Sequence, residues 1–146
     1  MQFKRPESVL VLIQDKLGQV LVMQRDDDPE FWQSVTGTIE EGEAPLQTAY
    51  REVAEETGLD LNALGCDVID CRTVNQYKIR EDWRNRYPPG TLYNNEYVFR
   101  VIVPTGSSIL LTEHTDYQWL PVNEAIKKVW SETNKLAIQS FAKLAI

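Results

Sequence analysis

Three glutamates near the middle of the chain have the residue type and spacing of a metal-binding or catalytic group. The stretch from Gly37 to Leu59, GTIEEGEAPLQTAYREVAEETGL, contains six glutamates and one arginine. Glu52, Glu55 and Glu56 stand at i, i+3 and i+4, so on a helix they are neighbours on one face. Like charges at this spacing destabilise a helix by roughly 0.2–0.5 kcal/mol per pair. The spacing therefore indicates either a solvated face or a site for a positively charged partner.

The distribution of charge along the chain favours a metal ion together with an anionic small molecule. The 146 residues carry a formal net charge of −7. Residues 26–60 include eleven acidic residues and one basic residue, whereas residues 72–100 include six basic and three acidic residues. Because a net negative protein is poorly suited to a nucleic-acid backbone, we expect no nucleic-acid partner.

The sequence also argues against a membrane span and a structural zinc site. The apolar run at 9–13 is too short for a membrane span or a signal-peptide core, and Asp15 closes it. We therefore expect no membrane partner and a cytoplasmic protein. Cys66 and Cys71 are the only cysteines, and no second pair exists to complete a four-ligand zinc site. Both cysteines are predicted to be buried strand residues.

The elements that would position the glutamates form a mixed α/β (α+β) domain. Apolar runs at 8–15 and 19–25 predict a hairpin, and a short strand is predicted at 34–39. Pro45 suits a first helical turn and Gly58 a left-handed C-cap, which predicts a helix from Pro45 to Thr57. Further strands are predicted at 66–79, 95–103 and 117–120, and helices at 122–130 and 134–145.

The predicted central helix has two distinct faces. Its apolar side chains share one side of a helical wheel, namely Leu46, Ala49 and Val53. The three glutamates fall on the adjacent face. The helix can therefore bury one side in a core and still offer its carboxylates to a cleft.

The glutamate-rich stretch resembles the Nudix box. Gly37, then Glu43 after five residues, then the run REVAEETGL at 51–59 match every fixed position of that box. By this resemblance the chain is identified as a member of the Nudix hydrolase family. The resemblance implies an α/β/α sandwich with a central mixed β-sheet, a single Nudix domain over residues 1–146 with its box at 37–59, and hydrolysis of a phosphoric anhydride.

The resemblance also supplies the positively charged partner of the glutamates. It implies one or more Mg²⁺ ions, for which Mn²⁺ can substitute, and Mg²⁺ takes hard oxygen ligands that bridge carboxylates to phosphates. The implied ligands are Glu52, Glu55 and Glu56 of the box and Glu113 of the TEH stretch at 112–114. Glu52, Glu56 and Glu113 are the candidate catalytic residues. The general base stays open between Glu56 and Glu113, because either could reach an attacking water.

Four residues of the box are implied to have structural roles. Arg51 is similar in position to the arginine that holds the loop carrying Glu43. Glu43 could instead touch the metal through water, and the structural role is the favoured one. Gly37 and Gly58 are interpreted as backbone requirements for close approach and a tight turn.

Stretches outside the box resemble the Nudix hydrolases that act on dihydroneopterin triphosphate in folate synthesis. These stretches are KRP (4–6), QRDDDPEFWQSVTG (24–37), RNRYPPG (84–90), TEHTDYQWL (112–120) and WSET (130–133). Because they lie outside the catalytic box, they bear on the substrate. They imply hydrolysis to dihydroneopterin monophosphate and pyrophosphate.

Five side chains are predicted to bind this small-molecule substrate. Lys4 and Arg25 are candidates for phosphate contacts, since basic groups pair with phosphate oxygens. Thr36 and Ser131 are candidates for hydrogen bonds to the substrate. Tyr77 is the favoured contact for a flat ring. The other aromatic candidates are Trp32, Trp83 and Trp119.

Two other functions remain open from the sequence. One is a general pyrophosphohydrolase of nucleoside triphosphates such as dATP, since a purine and a pterin have similar size. The other is a non-catalytic Nudix module that binds a nucleotide. Such a module would be expected to have lost box glutamates, and here they are all present. The sequence does not predict an oligomeric state.

Overall fold

The computed structural model describes residues 3–143, and within this range seven strands form one sheet. The strands are β1 (Glu7–Asp15), β2 (Val20–Arg25), β3 (Trp32–Gln33), β4 (Val35–Thr38), β5 (Ile69–Lys78), β6 (Tyr93–Val103) and β7 (His114–Leu120). The helices are α1 (Pro45–Thr57), α2 (Leu61–Leu64), α3 (Val122–Lys128) and α4 (Glu132–Phe141), with a 3₁₀ helix at Glu81–Arg86. The hairpin and the later strands and helices predicted from the sequence are present, with shifted ends.

The sheet is mixed, and β1 lies at its centre. The strand order is β3-β2-β1-β6-β5, with β4 also paired to β1 and β7 to β2. The β1–β6 pair is parallel and the other pairs are antiparallel. Eight of the nine β1 residues are buried, which explains why this strand is a nearly continuous apolar run.

Helices cover both faces of the sheet, as expected for an α/β/α sandwich. Successive side chains of a strand point to opposite faces. On one face Val9 and Val11 of β1 belong to a buried cluster with Val53 of α1. On the other face Leu10 packs with Ala137 of α4. Each face thus buries its own apolar core against helices.

Helix α1 has the predicted bounds, and Ala49 and Val53 of its predicted apolar side are buried. Gly58 caps it with φ of 75° and donates its N–H to the carbonyl oxygen of Ala54 at 2.9 Å. Leu46 was expected on the buried side and is 44% exposed. The buried side chains of α1 also include Glu52 and Glu56, so burial extends to the glutamate face and leaves Leu46 out.

Several smaller expectations need correction. Cys66 lies outside the strands, because β5 begins only at Ile69, and Cys66 and Cys71 are half-buried free thiols rather than buried ones. The two-residue strand β3 and the short helix α2 were not predicted. The last predicted helix was placed at 134–145; α4 ends at Phe141, and residues 144–146 lie outside the described range. No helix within residues 3–143 has the length and apolar character needed to cross a membrane.

Candidate active site

One cleft brings together every side chain predicted to bind metal or substrate. Its volume is about 740 Å³, and it is lined by residues of α1, β4, β5, β6, the 3₁₀ helix and the start of α4. The nine predicted ligands and contacts that line it are Lys4, Arg25, Thr36, Glu52, Glu55, Glu56, Tyr77, Glu113 and Ser131. These residues come from distant parts of the chain, so the fold itself assembles the cleft.

Glu52 lies against strand β4 at a position where only glycine leaves room. Glu52 is 9% exposed and Glu56 is 2% exposed. A Cβ atom built on Gly37 would overlap the carboxyl group of Glu52. Gly37 has no positive φ among the residues described, so its role here is space rather than backbone conformation. The strand thereby lets the α1 carboxylate approach the sheet edge.

Hydrogen bonds from Arg51 connect the loop that carries Glu43 to helix α1. Its Nε and Nη2 atoms donate to the two carboxylate oxygens of Glu43 at 2.8 and 2.9 Å. Nη2 also donates to the carbonyl oxygen of Thr38 at 3.0 Å. Nη1 donates to Glu52 at 2.8 Å and to Glu55 at 3.2 Å. One guanidinium therefore fixes the loop, strand β4 and two glutamates of α1.

The position of Glu43 is that of a loop carboxylate held by hydrogen bonds. Besides Arg51, it accepts from Thr48 Oγ1 at 2.6 Å and from the backbone N–H of Glu40 at 3.1 Å. The hydrogen bonds from Arg51 lower the pKa of Glu43 to about 2. Glu43 and Gly58 do not line the cleft, whereas Gly37 and Arg51 do.

Glu56 is a buried carboxylate without a hydrogen-bond partner. Neither of its oxygens has a hydrogen-bond partner among the described residues. Burial raises the pKa of Glu56 well above its usual range, and the neighbouring carboxylates of Glu52 and Glu113 raise it further. Burial also raises the pKa of Glu52, although Arg51 opposes this effect. Repulsion between buried carboxylates indicates a place where a cation would be favourable.

The residues present fit a divalent cation in their chemistry. Carboxylate oxygens are the ligands that Mg²⁺ prefers, and Glu56 has two that are unsatisfied. Glu55 differs from the other box glutamates because its side chain is 55% exposed and pairs with Arg51. No group of three or more His, Cys, Asp or Glu side chains within residues 3–143 is already arranged to hold a metal ion. The four-glutamate metal site therefore stays a prediction.

Basic side chains lie in the same cleft as the glutamates. Partial burial lowers the pKa of Lys4, and the positive charges of Arg86 and Arg25 lower it further, whereas Glu113 and Glu52 raise it. Arg25 is already paired with Asp27, with Nε–Oδ1 and Nη2–Oδ2 distances of 2.7 and 2.8 Å. An arginine has five N–H donors, so this pairing leaves Arg25 further donors for an anion.

Aromatic and arginine side chains form one wall of the cleft. The rings of Phe31 and Trp130 stack with centroids 4.7 Å apart, and Trp83 lies 5.6 Å from Phe31. The guanidinium carbons of Arg25 and Arg80 lie 4.6 and 4.3 Å from the Trp83 ring. Such stacked surfaces suit a flat ring.

The aromatic side chains named from the sequence divide into two groups. Tyr77 and Trp83 line the cleft. Trp32 instead belongs to a buried apolar cluster, and Trp119 packs against the other core cluster. Ser131 lines the cleft but also caps α4, because its Oγ accepts from the N–H of Asn134 at 3.4 Å.

Sequence reasoning missed two buried titratable side chains in this cleft. His114 is 9% exposed, and its Nε2 lies 3.9 Å from Glu56 Oε1 and 3.0 Å from Gln33 Nε2. Burial lowers the pKa of His114, and so does Arg25. Glu96 of β6 is 5% exposed. Glu96 precedes the buried Val98 by two residues, and side chains at this spacing point to the same face of a strand, so the sequence indicated that Glu96 faces inwards.

The aromatic wall could not be found in the same way. Phe31 lies just before β3 and Trp130 lies between α3 and α4, so no local pattern links them. They meet because the backbone N–H of Trp130 donates to the carbonyl oxygen of Trp32 at 3.0 Å. A contact of this kind depends on the tertiary fold.

The chain is similar to known proteins over nearly its whole length. The chain is 46% identical to the dihydroneopterin triphosphate diphosphatase of Escherichia coli K12 over 143 residues, covering 95% of this chain and 93% of that protein. It is 39% identical to the protein of the same name from Haemophilus influenzae, covering 97% of this chain and 90% of that protein. The structure of the E. coli dihydroneopterin triphosphate pyrophosphohydrolase superimposes with a TM-score of 0.93 at 42% identity, covering 97% of this chain and 98% of that one.

More distant structures share the fold alone. The Ap4A hydrolase of Caenorhabditis elegans, in a binary complex, superimposes with a TM-score of 0.71 at 18% identity, covering 91% of this chain and 92% of that one. The sequence model of the NUDIX domain family matches residues 4–140 of this chain, which include the whole box at 37–59. The chain therefore belongs to the Nudix hydrolase family.

Proposed function

We propose that this protein is a Nudix pyrophosphohydrolase that converts dihydroneopterin triphosphate into dihydroneopterin monophosphate and pyrophosphate. The observation that carries this proposal is the identity of 46% and 39% to two dihydroneopterin triphosphate diphosphatases over nearly the whole chain. The cleft supports it, since carboxylates, basic groups and a flat aromatic wall line the same cavity. We take residues 1–146 to act as one domain, and we expect the reaction to occur in the cytoplasm as a step of folate synthesis.

The carboxylates would hold the divalent cation, which we propose to be Mg²⁺. Glu52 and Glu56 are buried, and the exposed Glu113 lies close enough to raise the pKa of Glu56. These three would be the main ligands, and Glu55 would join them from the exposed side of α1. When bound, the cation neutralises phosphate charge and lowers the pKa of a bound water. Arg51 would fix the direction of the Glu52 carboxylate through its hydrogen bond of 2.8 Å.

The chain's own residues would complete the reaction. The attacking water must lose a proton to a carboxylate within hydrogen-bond reach, and Glu56 and Glu113 are the two candidates. Glu56 is the buried one of the two, and neither of its oxygens has a hydrogen-bond partner among the described residues. Lys4 and Arg25 would bind the triphosphate, with Thr36 and Ser131 as further polar contacts, and Tyr77 would contact the ring.

The test is release of pyrophosphate from dihydroneopterin triphosphate, measured beside dATP and the common nucleoside triphosphates, with and without Mg²⁺. We expect a Mg²⁺-dependent kcat/KM at least about tenfold higher for the pterin, which corresponds to about 1.4 kcal/mol of transition-state discrimination. Equal values for all substrates would identify a general nucleotide hydrolase. Binding without hydrolysis, unchanged in Glu56→Gln, would identify a non-catalytic module.

A further inference from the structure

A buried carboxylate in the cleft has no role in the mechanism above. Glu96 lies on β6, where it pairs in register with Ser8 of β1 and Asn75 of β5. It is 5% exposed, and its Oε1 atom has no hydrogen-bond partner among the described residues. Glu96 nevertheless lines the cleft, so a bound ligand can reach it.

The surroundings of Glu96 are polar but contain no paired cation. None of the ion pairs formed within residues 3–143 involves Glu96. Burial raises the pKa of Glu96 to about 7, although the side chains of Thr133 and Asn75 lower it. A buried carboxylate is costly unless donors satisfy its oxygens. The free protein therefore has an unsatisfied acceptor at this point of the cleft.

The neighbours of Glu96 suit the edge of a flat polar ring. Tyr77 is close enough for Glu96 to raise the pKa of its phenol, with burial as the larger cause. Asn94, two residues before Glu96 on β6, is 1% exposed; it donates to Ser8 Oγ at 2.7 Å and keeps an unpartnered Oδ1. The free acceptor atoms of Glu96 and Asn94 therefore lie near the Tyr77 ring. The basic side chains that could bind phosphates, Lys4, Arg25 and Arg86, line the same cleft.

We propose that the carboxylate of Glu96 recognises the heterocycle of the substrate by accepting two hydrogen bonds from adjacent N–H groups, and thereby selects a 2-amino-4-oxopyrimidine edge. This inference rests on the proposed function, and it assigns a specificity-determining residue to it. In a pterin, a ring N–H stands next to an exocyclic amine, which gives two parallel donors matched to the two oxygens of a carboxylate. Guanine has the same pair of donors.

The same carboxylate discriminates against adenine. The corresponding edge of adenine has a ring nitrogen acceptor beside its amine, so one carboxylate oxygen would face a lone pair instead of a donor. Buried polar groups left unpaired by the wrong substrate are a strong source of selectivity. Glu96 therefore favours pterin and guanine triphosphates over adenine triphosphates, independently of the phosphate chemistry.

The experiment compares kcat/KM of the wild type and Glu96→Gln on dihydroneopterin triphosphate, dGTP and dATP. Glutamine keeps the size of the side chain but replaces one acceptor by an NH₂ donor. We expect kcat/KM to fall at least about 30-fold on the pterin and on dGTP, mainly through KM, and to change less than about threefold on dATP. The matched control is Glu124→Gln, because Glu124 is exposed on α3 with only a 3.8 Å pair to Lys127.

The outcomes separate this inference from the proposed function. An equal loss on all three substrates in Glu96→Gln would overturn the role of Glu96, even if the wild type prefers the pterin. A wild type that prefers a nucleotide, with a selective loss on dGTP in Glu96→Gln, would overturn the pterin function and support the recognition of the edge.

A second measurement tests the proposal if Glu96→Gln folds poorly. Glu96→Asp keeps the charge but withdraws it by one methylene, and binding of neopterin to the metal-free protein can be followed by its fluorescence. We expect Kd to rise about tenfold or more in Glu96→Asp, and to be unchanged in Glu124→Gln. An unchanged Kd in Glu96→Asp would contradict the proposal, because this measurement depends on neither the metal nor catalysis.

Discussion

The side chain of Glu52 fills the space that a Cβ atom on Gly37 would occupy. The overlap involves the carboxyl group itself, whose Oε1 accepts a hydrogen bond from Arg51 Nη1 at 2.8 Å. Gly37 has no positive φ, so an alanine fits its backbone and conflicts only with Glu52. The glycine of β4 thus sets the position of a carboxylate on α1.

Gly37→Ala is expected to reduce activity more than stability. The added methyl group must displace the Glu52 carboxylate, so we expect kcat/KM to fall at least about tenfold, while thermal melting changes by only a few degrees. Gly65→Ala is the contrasting control, because Gly65 has φ of 70° and open space around its missing side chain. That variant should lose about 1 kcal/mol of folding stability and keep its activity. Loss of activity in both variants to the same extent would contradict the steric explanation.

The box and its helix could be predicted because the signals are local. Pro45 and Gly58 mark the two ends of α1 through their own backbone preferences, so the predicted bounds agree with the structure. The burial of two glutamates of α1 was less visible, since Leu46 is the more apolar residue and yet Glu52 and Glu56 are buried. These charged side chains are buried because of the shape of the cleft, and the hydropathy of one helix carries no information about that shape.

The aromatic wall of the cleft depended on tertiary contacts. Phe31, Trp83 and Trp130 come from three separate segments and meet only in the folded protein. Trp32 and Trp119 have the same residue type and are core residues, so composition could not distinguish them. For Glu96, the alternation along β6 would have predicted an inward carboxylate, and this signal was available.

Arg51→Lys is expected to weaken the connection between the box loop and α1. A lysine has one nitrogen in place of the three of a guanidinium, so it cannot make the two-atom contact with Glu43 and also reach Glu52 and the carbonyl of Thr38. We expect a loss of about 1–3 kcal/mol in the free energy of unfolding by urea, with at least about a tenfold fall in kcat. Arg72→Lys is the control, since Arg72 is exposed and bonds Asp70 through its backbone N–H.

The stability lost in Arg51→Lys should depend on pH and should be smaller in acid. Hydrogen bonds, first those from Arg51 and then those from Thr48 and Glu40, lower the pKa of Glu43 from 4.5 to about 2. Their stabilisation is therefore present above pH 4.5 and is lost as the pH falls towards 2. The difference in unfolding free energy between wild type and Arg51→Lys should therefore shrink from pH 6 to pH 3. A difference that stays constant over this range would show that the charge pair is not its cause.

Glu56→Gln is expected to remove the response of the protein to Mg²⁺. Glutamine is uncharged, so it relieves the repulsion around Glu56 and should leave the metal-free melting temperature unchanged or higher. For the wild type, Mg²⁺ at a hundredfold excess over its Kd should add about 2.7 kcal/mol, or about 5–10 °C. In Glu56→Gln this shift should be lost, and kcat should fall at least about 100-fold.

The control for the metal experiment is Glu41→Gln, because Glu41 is an exposed glutamate in the same box. It should keep both the thermal shift and the activity. A wild-type shift preserved in Glu56→Gln would mean that Mg²⁺ binds elsewhere.

Stability of the free protein should fall as the pH rises through the titration of Glu96. Its pKa is raised from 4.5 to about 7, so between these values the native state binds more protons than the unfolded state, and the free energy of unfolding decreases with pH. The full effect is about 3 kcal/mol by pH 8. Urea unfolding at pH 5 and pH 8 measures it: Glu96→Gln should lack this part of the decline, whereas Glu124→Gln should retain it. The wild type and Glu96→Gln share every other titrating group, so the difference between them isolates Glu96. A difference independent of pH would mean that its carboxyl is not buried as the fold places it.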